Sequence, residues 1–211
     1  KYIVALDPVS VGLPSLLASK LRRVPLLVRV GGDFAWEQGV QRFGIAETLD
    51  EFIGKEQAQY PRLVRLMIRL QSYVAKSAER VVVPSEYMKK IVASWGVPPD
   101  RIRRIYSSAH VGELPSRDEA RAKFGFTHER VVVSAGRFVP WKGFPSLIDA
   151  VAKLSKEFPT IQLVLVGSGP DDALIRAHAK TLGDRVRFMG TMPKAELVAL
   201  VRAADVFALN T

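Results

Sequence analysis

The apolar and polar positions of this 211-residue chain follow two alternating patterns. Short runs of branched apolar residues, without strict alternation, are typical of strands that are covered on both faces of a sheet. The stretches between these runs repeat apolar residues every three or four positions, which predicts amphipathic helices. The predicted strands cover residues 2–6, 26–30, 81–83, 102–105, 131–134, 162–166, 186–188 and 206–209.

Four apolar sets at helical spacing lie between these strands. They are Leu63, Leu66, Met67, Leu70 and Val74; Leu147, Ile148, Val151 and Leu154; Leu174, Ile175 and Ala179; and Leu197, Leu200 and Val201. Because strands and helices alternate throughout, we expect an α/β fold with doubly wound parallel sheets. The polar stretch 107–116 indicates a boundary, so we expect two domains, residues 1–110 and 111–211. Both are expected to be incomplete, because Lys1 leads directly into a strand and the chain stops at Asn210-Thr211 just past another.

The chain carries a formal net charge of +10, from 31 basic and 21 acidic residues. A basic surface attracts phosphates, and its sign alone does not choose between nucleotides, nucleic acid and anionic lipid. Charged residues make up 25% of the chain and hydrophobic ones 48%, a composition that excludes intrinsic disorder. No apolar run approaches the roughly 20 residues of a transmembrane helix. The absence of cysteine excludes disulfides and thiolate metal sites, and we expect a cytoplasmic protein.

Residues 131–144 combine several features of an anion-binding site in a strand, a loop and the start of a helix. Gly136 allows a ligand to approach the backbone closely at the strand end. Arg137 offers a planar fork for two phosphate oxygens, and Lys142 offers a compact point charge. A helix beginning near Phe144 adds free backbone N–H groups. Together these groups would neutralise a diphosphate; the alternative is two ordinary loop cations beside a glycine turn at Gly143.

A second glycine-rich turn, Gly167-Ser168-Gly169-Pro170, follows the predicted strand 162–166. It is similar to a dinucleotide fingerprint but has Asp172 in place of the third glycine. The acidic pair Asp171-Asp172 would repel a pyrophosphate on the following helix, although it suits the helix dipole. An NAD site is therefore disfavoured, and a tight turn with Pro170 opening the helix explains much of the pattern.

Five segments, spread along nearly the whole chain, match the motifs of one known family in the same order. They are Ala78-Glu79-Arg80-Val81-Val82-Val83-Pro84-Ser85; Ser134-Ala135-Gly136-Arg137 with Lys142-Gly143; Val164-Leu165-Val166-Gly167-Ser168-Gly169-Pro170; Val186-Arg187-Phe188-Met189-Gly190; and Ala203-Ala204-Asp205-Val206-Phe207. In this order and spacing the chain resembles the retaining glycosyltransferases of family 4. That family has the GT-B fold, in which two Rossmann-like domains face each other across a cleft.

The resemblance implies a nucleoside-diphosphate sugar as donor, a saccharide or lipid-linked acceptor, retention at the anomeric carbon, and no metal or other cofactor. It implies that Arg137 and Lys142, with Gly136, bind the donor diphosphate. It also implies that Gly169, Met189 and Gly190 contact the nucleotide. The family's two-glutamate motif would follow Thr211, and its glycine-rich loop in the first acceptor-domain strand has no counterpart here. We therefore expect a fragment of a longer enzyme.

In the first half, one departure from the family affects the catalytic assignment. Many members have a histidine near the transferred sugar, but Gly31-Gly32 occupies that region here, so no catalytic histidine is assigned. Asp33 is the candidate catalytic residue, because a carboxylate there could orient an acceptor hydroxyl. Trp36 could stack on a sugar face, and Glu37 lies beside it. The alternative is that Asp33 begins a turn and Trp36 packs between domains.

The stretch 62–76 is basic on one predicted helix face. Arg62, Arg65, Arg69 and Lys76 share that face, opposite the apolar set that begins at Leu63. Such a helix could contact anionic lipid at the inner face of the membrane, although a charged stripe is more often a solvated face. A nucleic-acid partner is disfavoured, because exposed aromatics are not interleaved with the cations.

The three histidines are isolated in sequence. His110, His128 and His178 show no pair at metal-ligand spacing, so a zinc site is disfavoured. Three functions stay open: a glycosyltransferase, a sugar-nucleotide epimerase of the same two-domain form, and a non-enzymatic nucleotide-binding fragment. Proton-abstracting carboxylates and a histidine in the cleft would favour the epimerase.

Overall fold

The computed structural model describes residues 1–108, 111–126 and 130–209 of the chain. His110, His128, Asn210 and Thr211 lie outside this description. The chain divides into two compact units, residues 1–108 and 109–211, which are described separately below. All eight predicted strands are confirmed, with ends that shift by at most two residues. The fold class is therefore α/β with two parallel four-stranded sheets, as predicted.

Unit 1, residues 1–108, contains one parallel sheet in the order β1-β2-β3-β4. Its strands are β1 Ile3–Ala5, β2 Leu26–Arg29, β3 Arg80–Val83 and β4 Ile102–Arg104. Its helices are α1 Gly12–Arg22, α2 Phe34–Phe43, α3 Leu49–Gly54, α4 Arg62–Ser77 and α5 Glu86–Ser94, with short 3-10 turns at Gln57–Gln59 and Pro99–Arg101. One core lies between the sheet and helices α1, α4 and α5, and a second lies among α2, α3 and α4.

The buried face of α4 differs from the predicted one. Leu63 and Leu66 are 58% and 49% exposed, so placing them on the core side was wrong. The buried positions are Val64, Ile68, Gln71, Val74 and Ala75. A polar residue, Gln71, thus occupies the core side of the helix, and it does so because it has hydrogen-bond partners there.

Unit 2, residues 109–211, contains a second parallel sheet in the order β7-β6-β5-β8. Its strands are β5 Arg130–Ala135, β6 Ile161–Val166, β7 Val186–Phe188 and β8 Val206–Phe207. Its helices are α6 Arg117–Phe124, α7 Phe144–Leu154, α8 Asp172–Ala179 and α9 Lys194–Ala203, with 3-10 turns at Pro140–Lys142 and Lys180–Arg185.

The central strand β6 of unit 2 is buried along its whole length. Leu163 and Leu165 face a core with α7 and α8, while Val164 and Val166 face a core with α6 and α9. Helices on both faces explain why this strand is a continuous apolar run rather than an alternating one. Unit 2 is therefore doubly wound in the literal sense.

Asp205 connects the start of β8 to the rest of unit 2. Its carboxylate accepts a hydrogen bond from the backbone N–H of Val131 at 2.8 Å. It also pairs with Arg117 and Arg121 of α6, the second at 3.4 Å. Burial raises the pKa of Asp205, but the Val131 N–H and Arg117 lower it more, so that the pKa lies below its ordinary value.

Candidate functional site

Arg137 follows the end of strand β5 in unit 2. The strand is buried up to Ser134, which is 2% exposed, whereas the Arg137 side chain is exposed. Between them, the backbone N–H of Gly136 donates to the carbonyl of Val166 at 2.9 Å. The turn is therefore held by backbone hydrogen bonding, and the guanidinium is presented outward.

Lys142 returns to the same strand end. It closes the 3-10 turn Pro140–Lys142, after which Gly143, at φ 58°, reverses the backbone into α7. A side-chain carbon added at Gly136 would lie 4.0 Å from Cδ of Lys142 and 3.8 Å from the ring of Phe144. The structure thus brings Gly136, Lys142 and the N-terminal end of α7 together beside Arg137. Among the residues that the structure describes, no ion pair engages Arg137 or Lys142.

The glycine turn after β6 is hydrogen-bonded to its neighbours on both sides. The Phe138 N–H donates to Ser168 O at 2.9 Å, and the Asp171 N–H donates back to Phe138 O at 3.2 Å. On the other side, the Gly167 N–H donates to Gly190 O at 2.7 Å. The loops that follow β5, β6 and β7 therefore form one continuous edge.

Both glycines of this turn lie against the loop that carries Arg137. At Gly167, where φ is 138°, an added side-chain carbon would lie 1.9 Å from Gly136 O. At Gly169 it would lie 2.2 Å from Phe138 O. Sequence reasoning assigned Gly169 to the nucleotide, and the structure places it against the Phe138 backbone.

The remaining predicted nucleotide contacts lie at the end of β7. The Met189 N–H donates to Leu165 O at 2.9 Å, and the Met189 side chain is 38% exposed. Gly190, at φ 64°, bonds to Gly167 through its carbonyl. Met189 and Gly190 therefore belong to the same edge as Arg137.

The strand order of unit 2 puts this edge at the position where open α/β sheets generally bind ligands. From β5 the chain proceeds outward to β6 and β7, and then returns to place β8 on the other side of β5. Ligands of open α/β sheets bind outside the carboxyl ends of the strands where the order reverses in this way. Arg137 follows one of the two strands at this reversal.

In unit 1, Asp33 is the N-cap of α2. Its Oδ1 accepts a hydrogen bond from the Trp36 N–H at 2.9 Å, and the side-chain amide of Gln71 donates to both carboxylate oxygens at 3.1 and 3.0 Å. Gln71 in turn accepts from the Ala35 N–H at 3.0 Å. Asp33 is 1% exposed, and burial raises its pKa although these hydrogen bonds oppose the shift.

Trp36 and Glu37, the predicted sugar contacts, lie in the first turn of α2. The indole N–H of Trp36 donates to Glu47 O at 2.8 Å, and its ring packs on the core among α2, α3 and α4. The Glu37 carboxylate covers Gly32, where an added side-chain carbon would lie 2.2 Å from Oε1. Gly32 thus leaves room for Glu37.

Two residues with roles at these strand ends were missed by sequence reasoning. Gln71 lies at helical spacing from Val64, Ile68 and Val74, so a polar residue on a buried face was the available signal. Phe138, between two loop residues, gave no such signal because its contacts are distant in sequence.

Two further observations concern membranes and metals. In the described ranges, no helix combines the length and apolar composition of a membrane span. Nor, over the same residues, do three or more histidine, aspartate or glutamate side chains cluster as metal ligands would.

The fold defines an α/β protein with two parallel sheets, one of which carries cationic residues at its order reversal. Comparison with known families then identifies the family. The model of the glycosyl transferase 4-like domain matches residues 1–107, half of the chain, and the model of glycosyl transferases group 1 matches residues 116–211. The chain belongs to the glycosyl transferase 4-like family.

Curated relatives match shorter stretches. A D-inositol 3-phosphate glycosyltransferase of Corynebacterium glutamicum is 33% identical over 153 residues, covering 66% of this chain and 37% of the relative. A phosphatidyl-myo-inositol mannosyltransferase of Mycobacterium tuberculosis is 39% identical over 84 residues, covering 39% of this chain and 22% of the relative. In these two alignments, the matching stretch spans well under half the length of the relative.

Two solved structures share the fold. Anabaena HepE, in complex with UDP and glucose, superposes with a TM-score of 0.75 at 20% identity, over 99% of this chain and 52% of its own. A sucrose-phosphate synthase of Thermosynechococcus elongatus gives a TM-score of 0.69 at 24% identity, over 98% of this chain and 49% of its own. These likenesses support the GT-B fold class.

Proposed function

We propose that this chain belongs to a glycosyltransferase that moves a sugar from a nucleoside-diphosphate sugar to an acceptor hydroxyl, with retention at the anomeric carbon. The observation that carries this proposal is the strand-end edge of unit 2, where exposed Arg137 follows Gly136 and the Lys142 side chain lies beside Gly136, at the order reversal of the sheet. The names of the curated relatives, which are sugar transferases, support the same reaction class.

Chemically, the acceptor oxygen forms a bond to the anomeric carbon as the bond from that carbon to the diphosphate oxygen breaks. The electron pair stays on the diphosphate, and the hydroxyl proton is passed to it. Arg137 and Lys142 stabilise the negative charge that grows on the leaving group, a contribution that increases when water is excluded. The N-terminal N–H groups of α7 add to it. We assign no cofactor to this step.

The nucleotide is proposed to lie along the edge that Met189 and Gly190 form beside the turn containing Gly169. In unit 1, the Asp33 carboxylate already accepts hydrogen bonds from Trp36 and Gln71. We therefore propose that Asp33 acts on the acceptor by holding the Gly31-Gly32 loop, and that Trp36 and Glu37 supply the contact. A phosphorylated polyol, either free or lipid-linked, is the acceptor class that we propose from the relatives' names.

Calorimetric titration of the chain with UDP and with GDP tests the donor site. Arg137→Ala and Lys142→Ala should each weaken binding by roughly 10-fold or more, because each removes a charge-assisted contact to phosphate. The matched controls are Arg202→Ala and Lys153→Ala, which remove exposed cations from the last turns of α9 and α7. Equal losses in the controls would show a general charge effect, and unchanged affinity in Arg137→Ala would remove Arg137 from the site.

A second proposal, peripheral contact with an anionic membrane through residues 62–76, is favoured by a specific observation. Leu63 and Leu66 are exposed beside Arg62 and Arg69 on the outer face of α4. Exposed leucines flanked by cations are suited to the interface of an anionic bilayer, where each cation near the surface contributes about 1 kcal/mol.

Co-sedimentation with vesicles of phosphatidylcholine, with and without phosphatidylglycerol, tests this contact. Binding should require the anionic lipid and should fall in Leu63→Ser/Leu66→Ser and in Arg62→Gln/Arg69→Gln. The control Arg101→Gln removes a cation elsewhere in unit 1 and should bind as the parent chain does. Equal binding to neutral vesicles, or no loss in either double variant, would contradict the proposal.

A further inference from the structure

We infer that Phe138 is a positioning residue for Arg137, and that Gly169 is required because it lets the Phe138 backbone lie on the turn after β6. This inference rests on the proposed role of Arg137 in binding the donor diphosphate. It gives Gly169 a function other than the nucleotide contact predicted from sequence.

Phe138 is fully buried although it lies in a loop directly after exposed Arg137, and Val139, which follows it, is buried as well. Its ring lies 4.8 Å from that of Phe144, edge to face, and 6.5 Å from that of Phe188. Phe144 begins α7 directly after Lys142-Gly143. The Phe138–Phe144 contact therefore joins the two ends of the loop that carries Arg137 and Lys142.

The Phe138 backbone is held by the turn after β6. Its N–H donates to Ser168 O, and its carbonyl accepts from the Asp171 N–H. Because the Gly136 N–H donates to Val166 O, the residues on both sides of Arg137 are hydrogen-bonded to the same neighbouring segment. The position of the Arg137 backbone is then set before any ligand binds, which lowers the ordering cost of binding.

Glycine is required at position 169 because there is no room for a side chain. An added side-chain carbon would lie 2.2 Å from Phe138 O and 2.7 Å from both Phe138 C and N. Contacts this short with backbone atoms force the backbone of Phe138, and with it Arg137, to move. Gly183 offers the opposite case, since at φ 55° its backbone is strained for other residues but nothing lies within 4 Å of the added carbon.

The test is a double-mutant cycle on Gly169→Ala and Arg137→Ala, read by calorimetry with UDP and GDP. Gly169→Ala alone should weaken binding by roughly 10-fold, close to the effect of Arg137→Ala. In the Arg137→Ala background, Gly169→Ala should change affinity by less than about threefold, because the group it displaces is already gone. Gly183→Ala is the matched control and should bind as the parent chain does.

The outcomes separate the inference from the function on which it rests. If Arg137→Ala binds normally, the donor-site role of Arg137 and this inference both fail. If Arg137→Ala is weakened but Gly169→Ala is not, or if the two effects are fully additive, only the inference fails.

A second variant covers the case in which Gly169→Ala does not fold. Phe138→Leu keeps the backbone hydrogen bonds and an apolar side chain but removes the ring contacts with Phe144 and Phe188. It should weaken binding by about threefold in the parent and have no effect in Arg137→Ala. An equal loss in both backgrounds would overturn the positioning role.

Discussion

In each unit, one strand is followed by a short glycine-containing turn and then by a charged residue. The charged residue is buried in one unit and exposed in the other. After β2, Gly31-Gly32 leads to Asp33, which is 1% exposed and fully engaged by α2 and α4. After β5, Gly136 leads to Arg137, whose side chain is exposed. The same position in a βα unit therefore serves architecture in one unit and is open to a ligand in the other.

The difference arises from which groups hold the turn. In unit 1 the Asp33 side chain caps α2, and the Gln71 amide stabilises the buried carboxylate by donating hydrogen bonds to it. In unit 2 backbone groups hold the turn, through Gly136 to Val166 and Phe138 to Ser168. The charged side chain is available for binding only where backbone hydrogen bonds hold the turn without it.

Strand order separates the two ends as well. Within residues 1–108 the described strands follow one another across the sheet as β1-β2-β3-β4, so Asp33 does not lie at an order reversal of these strands. In unit 2 the order β7-β6-β5-β8 reverses at β5, and Arg137 follows that strand. Arg137 thus follows a strand at the order reversal of its sheet, and its side chain is exposed there.

The largest effect that would sharpen this comparison is expected for Gln71→Leu. This change removes the amide that donates to Asp33 and leaves the Ala35 N–H without its acceptor. The free energy of unfolding should fall by about 2–4 kcal/mol at pH 7, measured by urea denaturation. The control Gln59→Leu, at an exposed position, should change it by no more than about 0.5 kcal/mol.

The loss in Gln71→Leu should also depend on pH. Burial raises the pKa of Asp33 in the folded state, so stability is greatest below the unfolded-state pKa and falls as pH rises through the folded one. Removing a hydrogen bond that lowers this pKa enlarges the fall. A loss that is independent of pH would contradict the buried-carboxylate account of Asp33.

A smaller effect distinguishes Asp33 from Asp205, whose pKa shifts in the opposite direction. The pKa of Asp205 is lowered despite its partial burial, by the Val131 N–H and Arg117, so its contribution is present above the unfolded-state pKa and lost as pH falls through the folded one. Asp205→Asn should therefore lose stability relative to the parent as pH rises, by about 1 kcal/mol at pH 7, because solvent screens its partly exposed ion pairs.

Asp33→Asn keeps a capping side chain and removes the buried charge, so it should gain stability relative to the parent over the same pH rise. Thermal melts between about pH 2 and 7 measure both slopes, because the unfolded-state pKa of aspartate is about 3.9 and the folded-state pKa of Asp205 lies below it. Asp184→Asn is the exposed control. Slopes of the same sign would show that the two carboxylates are not held in opposite environments.

The smallest effect on stability is expected at the strand end of unit 2 that precedes Arg137. Arg137→Ala removes an exposed side chain, so the free energy of unfolding should change by no more than about 0.5 kcal/mol. Chemical denaturation checks this alongside Gln71→Leu. A loss comparable to that of Gln71→Leu would mean that Arg137 supports the fold in the way that Asp33 does.

The fold was predictable from sequence to the extent that apolar patterns report burial. The short apolar run predicted as a strand at 162–166 is the buried strand β6, residues 161–166, and the boundaries of the other strands shifted little. The face of α4 was predicted wrongly, because Leu63 and Leu66 were placed on the core side and Gln71 was not included there. Composition along one helix does not reveal that Asp33, 38 residues away in sequence, supplies the partner that allows Gln71 to be buried.

The cations of the candidate site could be predicted from the sequence, but the contacts that hold their loop in place could not. Arg137 and Lys142 are recognisable by residue type and order, and the structure places Lys142 beside Gly136. The supporting contact between Gly169 and the Phe138 backbone joins loops that follow different strands. Such a contact depends on strand adjacency, which no local motif specifies.

The strand end of unit 2 is expected to bind a nucleoside diphosphate, whereas the corresponding end of unit 1 is not. Amide chemical shifts of the isotope-labelled chain, followed during titration with UDP and with GDP, test it even when affinity is weak. We expect the amides of Gly136, Arg137, Gly143 and Gly190 to shift together with one dissociation constant, while those of Gly31 and Gly32 stay in place. Shifts at Gly31 and Gly32 with residues 136–143 unmoved would contradict it.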